Sequence, residues 1–330
     1  MRNLLTDVPG IAVGHATDLA LASGATAIIF DDMTTASGVF LGGAPGTRDT
    51  RLLEPEATVP GVNAFVLSGG SAFGLDAAGG VQAWLREQGR GWGLRGAIIP
   101  VVSQAILFDL LNGGDKDWGR FSPYRDLGYQ AAAAAGADFA LGSVGAGTGA
   151  TVPGLKGGIG SASAITASGH IVAALVAVNA VGSPLVGDGP HFWAAPYEVG
   201  DEFGGLGMPG TITANDLTPR LKGGPATATT IGVVATDAVL TKAQTKRLAI
   251  MANDGLARAL LPAHAPNDGD VVFAAATGRR GLGDPSELTL LGHAATLVMA
   301  RAIARGVFAA ARLPQMGALQ SWTERFQEGS

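Results

Sequence analysis

The chain has 330 residues, 47% hydrophobic and 15% charged, which supplies apolar material for one large core or two modest ones and excludes intrinsic disorder. A net charge of -5 with no Lys/Arg stripe argues against a nucleic-acid footprint, and the lack of cysteine excludes a disulfide framework, a thiolate metal site and a cysteine nucleophile. Glycine is the outlier at 51 residues, roughly twice the usual ~7%; without a fixed period, this excess suits tight turns and close backbone approaches.

The first residues, MRNLLTDVPGIAVGH, place Asp7 and Pro9 where a signal peptide needs an apolar core. No stretch reaches the roughly 18 uninterrupted apolar residues of a membrane span, so the expectation is a cytoplasmic protein with no membrane partner. In chain order, strands are predicted at 27–30 (AIIF) and 64–70 (AFVLSGG), then helices over 74–89 and around 129–140. A strand follows at 171–182 (IVAALVAVNAVG), and then a loose tract from Gly204 to Ala228, rich in Gly, Pro, Thr and Ala and broken by DLTPRLK. That tract reads as a domain linker, a lid or a processing loop ahead of the C-terminal part. Beyond it lie a strand at 229–237 (TTIGVVATD), a helix over 243–261 opened by the capping box of Thr241 and Gln244, a strand at 271–278, and a helix over 288–313 ended by Pro314. Apolar strands flanked by Ala-rich helices imply a mixed α/β fold.

Several glycine motifs fail as nucleotide or nucleophile signatures. GSVGAGTGA (142–150) carries Ala150 at the sixth position counted from Gly145, where a dinucleotide loop needs glycine. In GATVPGLKGG, Leu155 separates Gly154 from Lys156, and in GGSAFG (69–74) Phe73 replaces the second glycine of a nucleophile elbow. His15, His170, His191, His264 and His293 have no metal-ligand spacing, so neither a metal nor a cofactor is expected. Lys156 is an isolated ammonium in a Gly/Ala/Ser/Thr-rich stretch, either a surface loop lysine or a functional cation. Asn179 interrupts an apolar strand and is either a satisfied core amide or a donor to an oxyanion. Asp268 and Asp270 flank a glycine ahead of a strand; they suit turn chemistry, a calcium-like turn or coupled proton handling. Thr229 is explained by β-propensity or as a nucleophile displayed where a loop meets a strand.

Read together, LLTDVPGIAVGH, GGAPGTRDT (42–50), VLSGGSAFGLDAAGGV (66–81), the LKGG around Lys156, AVNAVG around Asn179, TTIGVVATD and PAHAPNDGDVVFAAAT (262–277) resemble the P1 peptidases. That group holds L-aminopeptidase/D-esterases, β-aminopeptidases and an endo-type 6-aminohexanoate-oligomer hydrolase. The resemblance implies an N-terminal-nucleophile hydrolase with a four-layer αββα sandwich, a single domain over 1–330 made as a precursor. Self-cleavage between Ala228 and Thr229 would give a large subunit, 1–228, and a small one, 229–330. It further implies Thr229 as nucleophile and base, Lys156 as the cation beside it, Asn179 in the oxyanion site, and Asp268 and Asp270 orienting the Thr229 hydroxyl and amine.

The implied substrate is a small peptide or linear amide, and the aspartate pair points toward the amide-oligomer branch. Helices rich in Ala and Gly suggest close subunit packing, and the resemblance implies a homo-oligomer, a tetramer or larger. The alternatives are an acyltransferase of the ornithine acetyltransferase type and an unprocessed, non-catalytic homologue. Two positions depart from the pattern: Ala228 stands where relatives carry Asn or Gly, and Phe108 where some carry Tyr.

Overall fold

The computed structural model describes residues 1–223 and 228–327. Its strands are β1 (Ile11–Asp18), β2 (Ser23–Phe40), β3 (Gly46–Arg48), β4 (Val62–Ser68), β5 (Trp92–Leu94), β6 (Ala97–Ile99), β7 (Val102–Ile106), β8 (Thr151–Val152), β9 (Leu155–Lys156), β10 (Ile159–Ile165), β11 (Ile171–Asn179), β12 (Thr229–Ala238) and β13 (Val271–Arg280). The helices are α1 (Ala77–Glu87), α2 (Tyr124–Ala133), α3 (Lys242–Ala259), α4 (Glu287–Phe308) and the short α5 (Trp322–Phe326).

β2 organises the sandwich. Its first half, from Ala25 to Ile29, pairs with β4, and its last residues, from Thr35 to Phe40, pair with β13. One sheet is therefore β1, β2, β4, β7 and β3, the other β10, β11, β12, β13 and β2. The sequence marks only 27–30 of this strand, because Asp31 and Asp32 interrupt the apolar run where the strand is exposed between sheets.

Three apolar clusters define four layers. Between the sheets lie Ile28, Phe30, Phe65, Ile231, Val233 and Phe273 with their neighbours, Phe65 stacked on Phe273 at 4.6 Å. Outside the first sheet, Val66 and Ala64 pack on Ala77, Val81, Leu127 and Ala131 of α1 and α2. Outside the second, Val172, Val176 and Val234 pack on Leu248, Leu256, Val298 and Met299 of α3 and α4. The order is αββα. α4 is long and apolar enough to cross a membrane by length and composition, but the larger share of that stretch is buried in this outer layer.

The helix expected around 129–140 lies earlier. α2 begins after Pro123 and ends at Ala133, because Gly136 leaves the helix to exchange two backbone hydrogen bonds with Val13 of β1. α3 opens on the expected capping box, Thr241 accepting from Gln244 N and the Gln244 side chain accepting from Thr241 N. α4 stops at Phe308, short of the 313 the sequence suggests. Small residues serve close contacts within the chain: a β-carbon on Gly160 of β10 would lie 1.8 Å from the Ala302 carbonyl oxygen of α4, and one on Gly128 of α2 would lie 2.0 Å from that of Ala77 in α1. β11 and β12 pair antiparallel along their length although the Gly204–Ala228 tract separates them, so the second sheet runs through both parts of the chain. Residues 224–227 of that tract lie outside the described residues.

Candidate active site

β12 opens on Thr229, and its register sets Thr229 directly opposite Asn179, the last residue of β11. Immediately upstream, Ala228 bridges Asp268 in the loop that leads into β13, which itself runs parallel to β12. Thr229, Asn179, Asp268 and Asp270 are therefore brought together at one end of the second sheet, and all four are buried.

The Ala228 carbonyl oxygen is the focus of this cluster. Thr229 Oγ1 donates to it at 2.5 Å, and the Gly269 backbone N–H donates to it at 3.1 Å. Gly269 is glycine for a steric reason, since a β-carbon there would lie 2.6 Å from Thr229 Oγ1. The loop after β2 closes over the same turn, Ala44 N donating to Asp268 O at 2.8 Å and Gly42 N to Asp270 O at 3.2 Å.

The two aspartates are buried close enough to feel each other's charge. Asp270 Oδ1 accepts from Thr230 N at 2.7 Å, and its Oδ2 from both the backbone and the ring Nδ1 of His264, at 3.0 and 2.8 Å. Asp268 accepts from Gly269 N at 3.0 Å. Burial, then the charge of Asp270, push Asp268 up to about 8. A carboxyl group there can hold a proton at neutral pH and release it close to neutrality.

Asn179 is fully engaged on its oxygen side and partly free on its nitrogen side. Oδ1 accepts from Thr151 N at 3.0 Å and Lys222 Nζ at 2.6 Å, while Nδ2 donates to Phe108 O at 3.1 Å. An amide nitrogen has two donors, and among the described residues one N–H of Asn179 has no acceptor. Phe108 thus contributes through its backbone carbonyl.

Lys156 sits one step away. Its Nζ donates to the carbonyls of Gly147, Ala150 and Gly157 at 3.1, 2.7 and 2.9 Å, matching three acceptors to the three N–H bonds of an ammonium. The glycine run that mimics a dinucleotide loop supplies two of these carbonyls. Lys156 makes no hydrogen bond to Thr229 among the described residues; it holds the Ala150 carbonyl, and the next residue, Thr151, donates to Asn179 Oδ1. Burial lowers it to about 7, an effect that Asp109 opposes and Lys222 reinforces.

Sequence reasoning misses Lys222, His264 and Asn253. Lys222 belongs to the charged break in the loose tract, and burial lowers it to about 8, offset by Asp268 and Asp109. It lines a cavity of about 430 Å³ with Phe108, Thr151, Leu111 and Met316, and Lys222, Phe108 and Thr151 each hydrogen-bond to Asn179. His264 lies four residues before Asp268, a proximity that a search for paired histidines does not register.

Comparison with known proteins agrees with this architecture. A model of Peptidase family S58 matches residues 3–319. Uncharacterized aminopeptidases of Mycobacterium bovis and Mycobacterium tuberculosis are each 42% identical to the chain, over 92% of it and 93% of theirs. Among solved structures, a Burkholderia sp. β-aminopeptidase superposes with a TM-score of 0.73 at 23% identity, covering 98% of this chain and 91% of its own. The L-aminopeptidase D-Ala-esterase/amidase of Ochrobactrum anthropi, a variant of the Ntn hydrolase fold, gives 0.73 at 20% identity over 97% and 91%. With a family model spanning nearly its whole length and relatives this similar, the chain belongs to peptidase family S58 and has the fold of the N-terminal-nucleophile hydrolases.

Proposed function

We propose that the chain is a self-processing amide hydrolase of the aminopeptidase type, with Thr229 as its nucleophile. One observation carries this reading: the Thr229 hydroxyl lies against the carbonyl group of Ala228, and a backbone N–H from Gly269 is already on that carbonyl oxygen. In the first step Oγ1 bonds to the Ala228 carbonyl carbon, negative charge gathers on the oxygen that Gly269 N–H stabilises, and the bond to Thr229 N breaks as that nitrogen takes the hydroxyl proton. Water then splits the resulting ester into the Ala228 carboxylate and a free Thr229 amine. An α-amine has an ordinary pKa of about 7.7–8.0, suited to accepting the hydroxyl proton in each later turnover. Asp268 is placed to shuttle protons at the same pH, and the free N–H of Asn179 is a second donor for the oxyanion.

In turnover a peptide or linear amide takes the place of the Ala228 carbonyl, its acyl part passing to Thr229 Oγ1 and then to water. The cavity beside Asn179 supports a substrate with an extended apolar portion, since Phe108, Leu111, Met316 and Leu319 line it. The aspartate pair favours 6-aminohexanoate oligomers among such substrates. Intact mass after prolonged incubation tests the proposal: fragments 1–228 and 229–330 are expected from the parent chain and from Thr229→Ser. The same fragments from Thr229→Ala would sink it.

A further inference from the structure

His264 is held in an uncommon backbone conformation, with φ at +57°. For a non-glycine residue this left-handed region is sparsely used, and His, Asn and Asp are the side chains enriched there. The conformation lets one residue grip one oxygen twice: the His264 backbone N–H and the ring Nδ1 both reach Asp270 Oδ2. On its far side the ring Nε2 lies 3.1 Å from Nδ2 of Asn253, a buried residue of α3. With the Asn253 amide nitrogen turned toward the ring, one uncharged tautomer suits both partners. A ring nitrogen facing a carboxylate carries the proton, and one facing an amide N–H accepts, so the proton is on Nδ1.

We propose, building on the reading of Thr229 as nucleophile, that His264 is a positioning residue: clamped by Asn253, it holds Asp270 so that Oδ1 stays on the Thr230 N–H, and thereby fixes the head of β12 where Thr229 is presented. Three N–H groups converge on Asp270, and the only one that comes from β12 is that of Thr230. Without the ring, Oδ2 keeps a single backbone donor and the carboxyl can turn about its own axis, releasing Thr230 N. The relay runs from the packed face of α3 through Asn253 and His264 to the junction, so the outer helical layer sets the geometry of the cut.

The test compares His264→Asn, His264→Gln and His264→Ala in the full-length chain. Asparagine tolerates the left-handed φ and places an amide donor where Nδ1 stands; glutamine places its donor beyond it. The rate of appearance of 229–330 is followed by intact mass and normalised to the folded fraction from thermal melts. Expected are a rate within about threefold of the parent for His264→Asn and a loss on the order of 10²-fold for His264→Ala and His264→Gln, the scale of a misplaced reacting group. Equal rates per folded molecule for all three variants overturn the relay; if Thr229→Ala alone is inert, the nucleophile reading stands without it. Imidazole ¹⁵N shifts of the uncleaved chain provide a readout that needs no activity, even where the parent does not process: a protonated Nδ1 and bare Nε2 are expected, and an Nε2–H ring rejects the arrangement.

Discussion

Gly269→Ala isolates the geometry at the junction from everything else in the fold. Gly269 has no left-handed φ, so the added methyl acts through its bulk alone. The new β-carbon would lie 2.6 Å from Thr229 Oγ1, 3.1 Å from Thr229 Cγ2 and 3.0 Å from Ala44 O. Ordinary contact begins at 3.4 Å, so the hydroxyl must retreat by about 0.8 Å or rotate off the Ala228 carbonyl. A misplacement near 1 Å costs on the order of 10²-fold in rate, equivalent to about 2.7 kcal/mol of barrier. Overpacking of this kind costs about 1–3 kcal/mol of stability as well, so rate and melting temperature must be read together. Gly281→Ala is the control, because a β-carbon there meets nothing within 4 Å. The assay is a time course of intact mass at matched folded fraction. Gly269→Ala processing as fast as Gly281→Ala would refute the claim that the hydroxyl seen beside Ala228 is the reacting group.

Asp268→Asn tests the proton held at the site. Because burial raises Asp268 from 3.8 to about 8, the folded chain keeps a proton that the unfolded chain releases, and stability falls as pH rises through that window. The asparagine variant therefore gains in melting temperature over the parent between about pH 4 and pH 8 and holds that gain above it, while losing self-cleavage; a gap that does not widen with pH contradicts the assignment. Ala228→Asn is expected to process faster than the parent, since a polar side chain at this bridge to Asp268 can fix the carbonyl it precedes; intact mass at equal times decides, and a slower rate counts against it. Gly160→Ala forces a methyl to within 1.8 Å of the Ala302 carbonyl, so α4 must lift from β10 and the melting temperature should drop by several degrees, with the cleavage rate per folded molecule unchanged.

The strands nearest the site are legible in the sequence because they are buried on both faces and read as continuous β-branched and Ala-rich runs, as in TTIGVVATD and VVFAAATG. The last third of β2 is hidden for the opposite reason, its aspartates marking an exposed crossing that resembles a turn. Asp268 and Asp270 announce themselves by adjacency, and Asn179 by its polarity inside an apolar strand. Lys222 and Asn253 carry no such mark. Lys222 looks like one charge of a solvated loop, and Asn253 like a polar residue on a helix, until tertiary contact places the first on Asn179 and the second on His264. A 43-residue separation between Lys222 and its partner is invisible to any local pattern.

The order β10, β11, β12, β13, β2 places the two strands that follow the junction in the interior of a sheet, between strands that precede it. A chain nicked ahead of Thr229 is therefore an interleaved pair of fragments. β12 remains laddered to β11 and β13 to β2, so neither fragment can depart without opening both ladders at once. Separated fragments would have to find each other by collision to rebuild that sheet, whereas the intact chain does so within itself. Folding of the intact chain is unimolecular and refolding of separated fragments would be bimolecular, so a cut at the proposed junction would make the continuous chain a scaffold needed once, for assembly, and dispensable from then on.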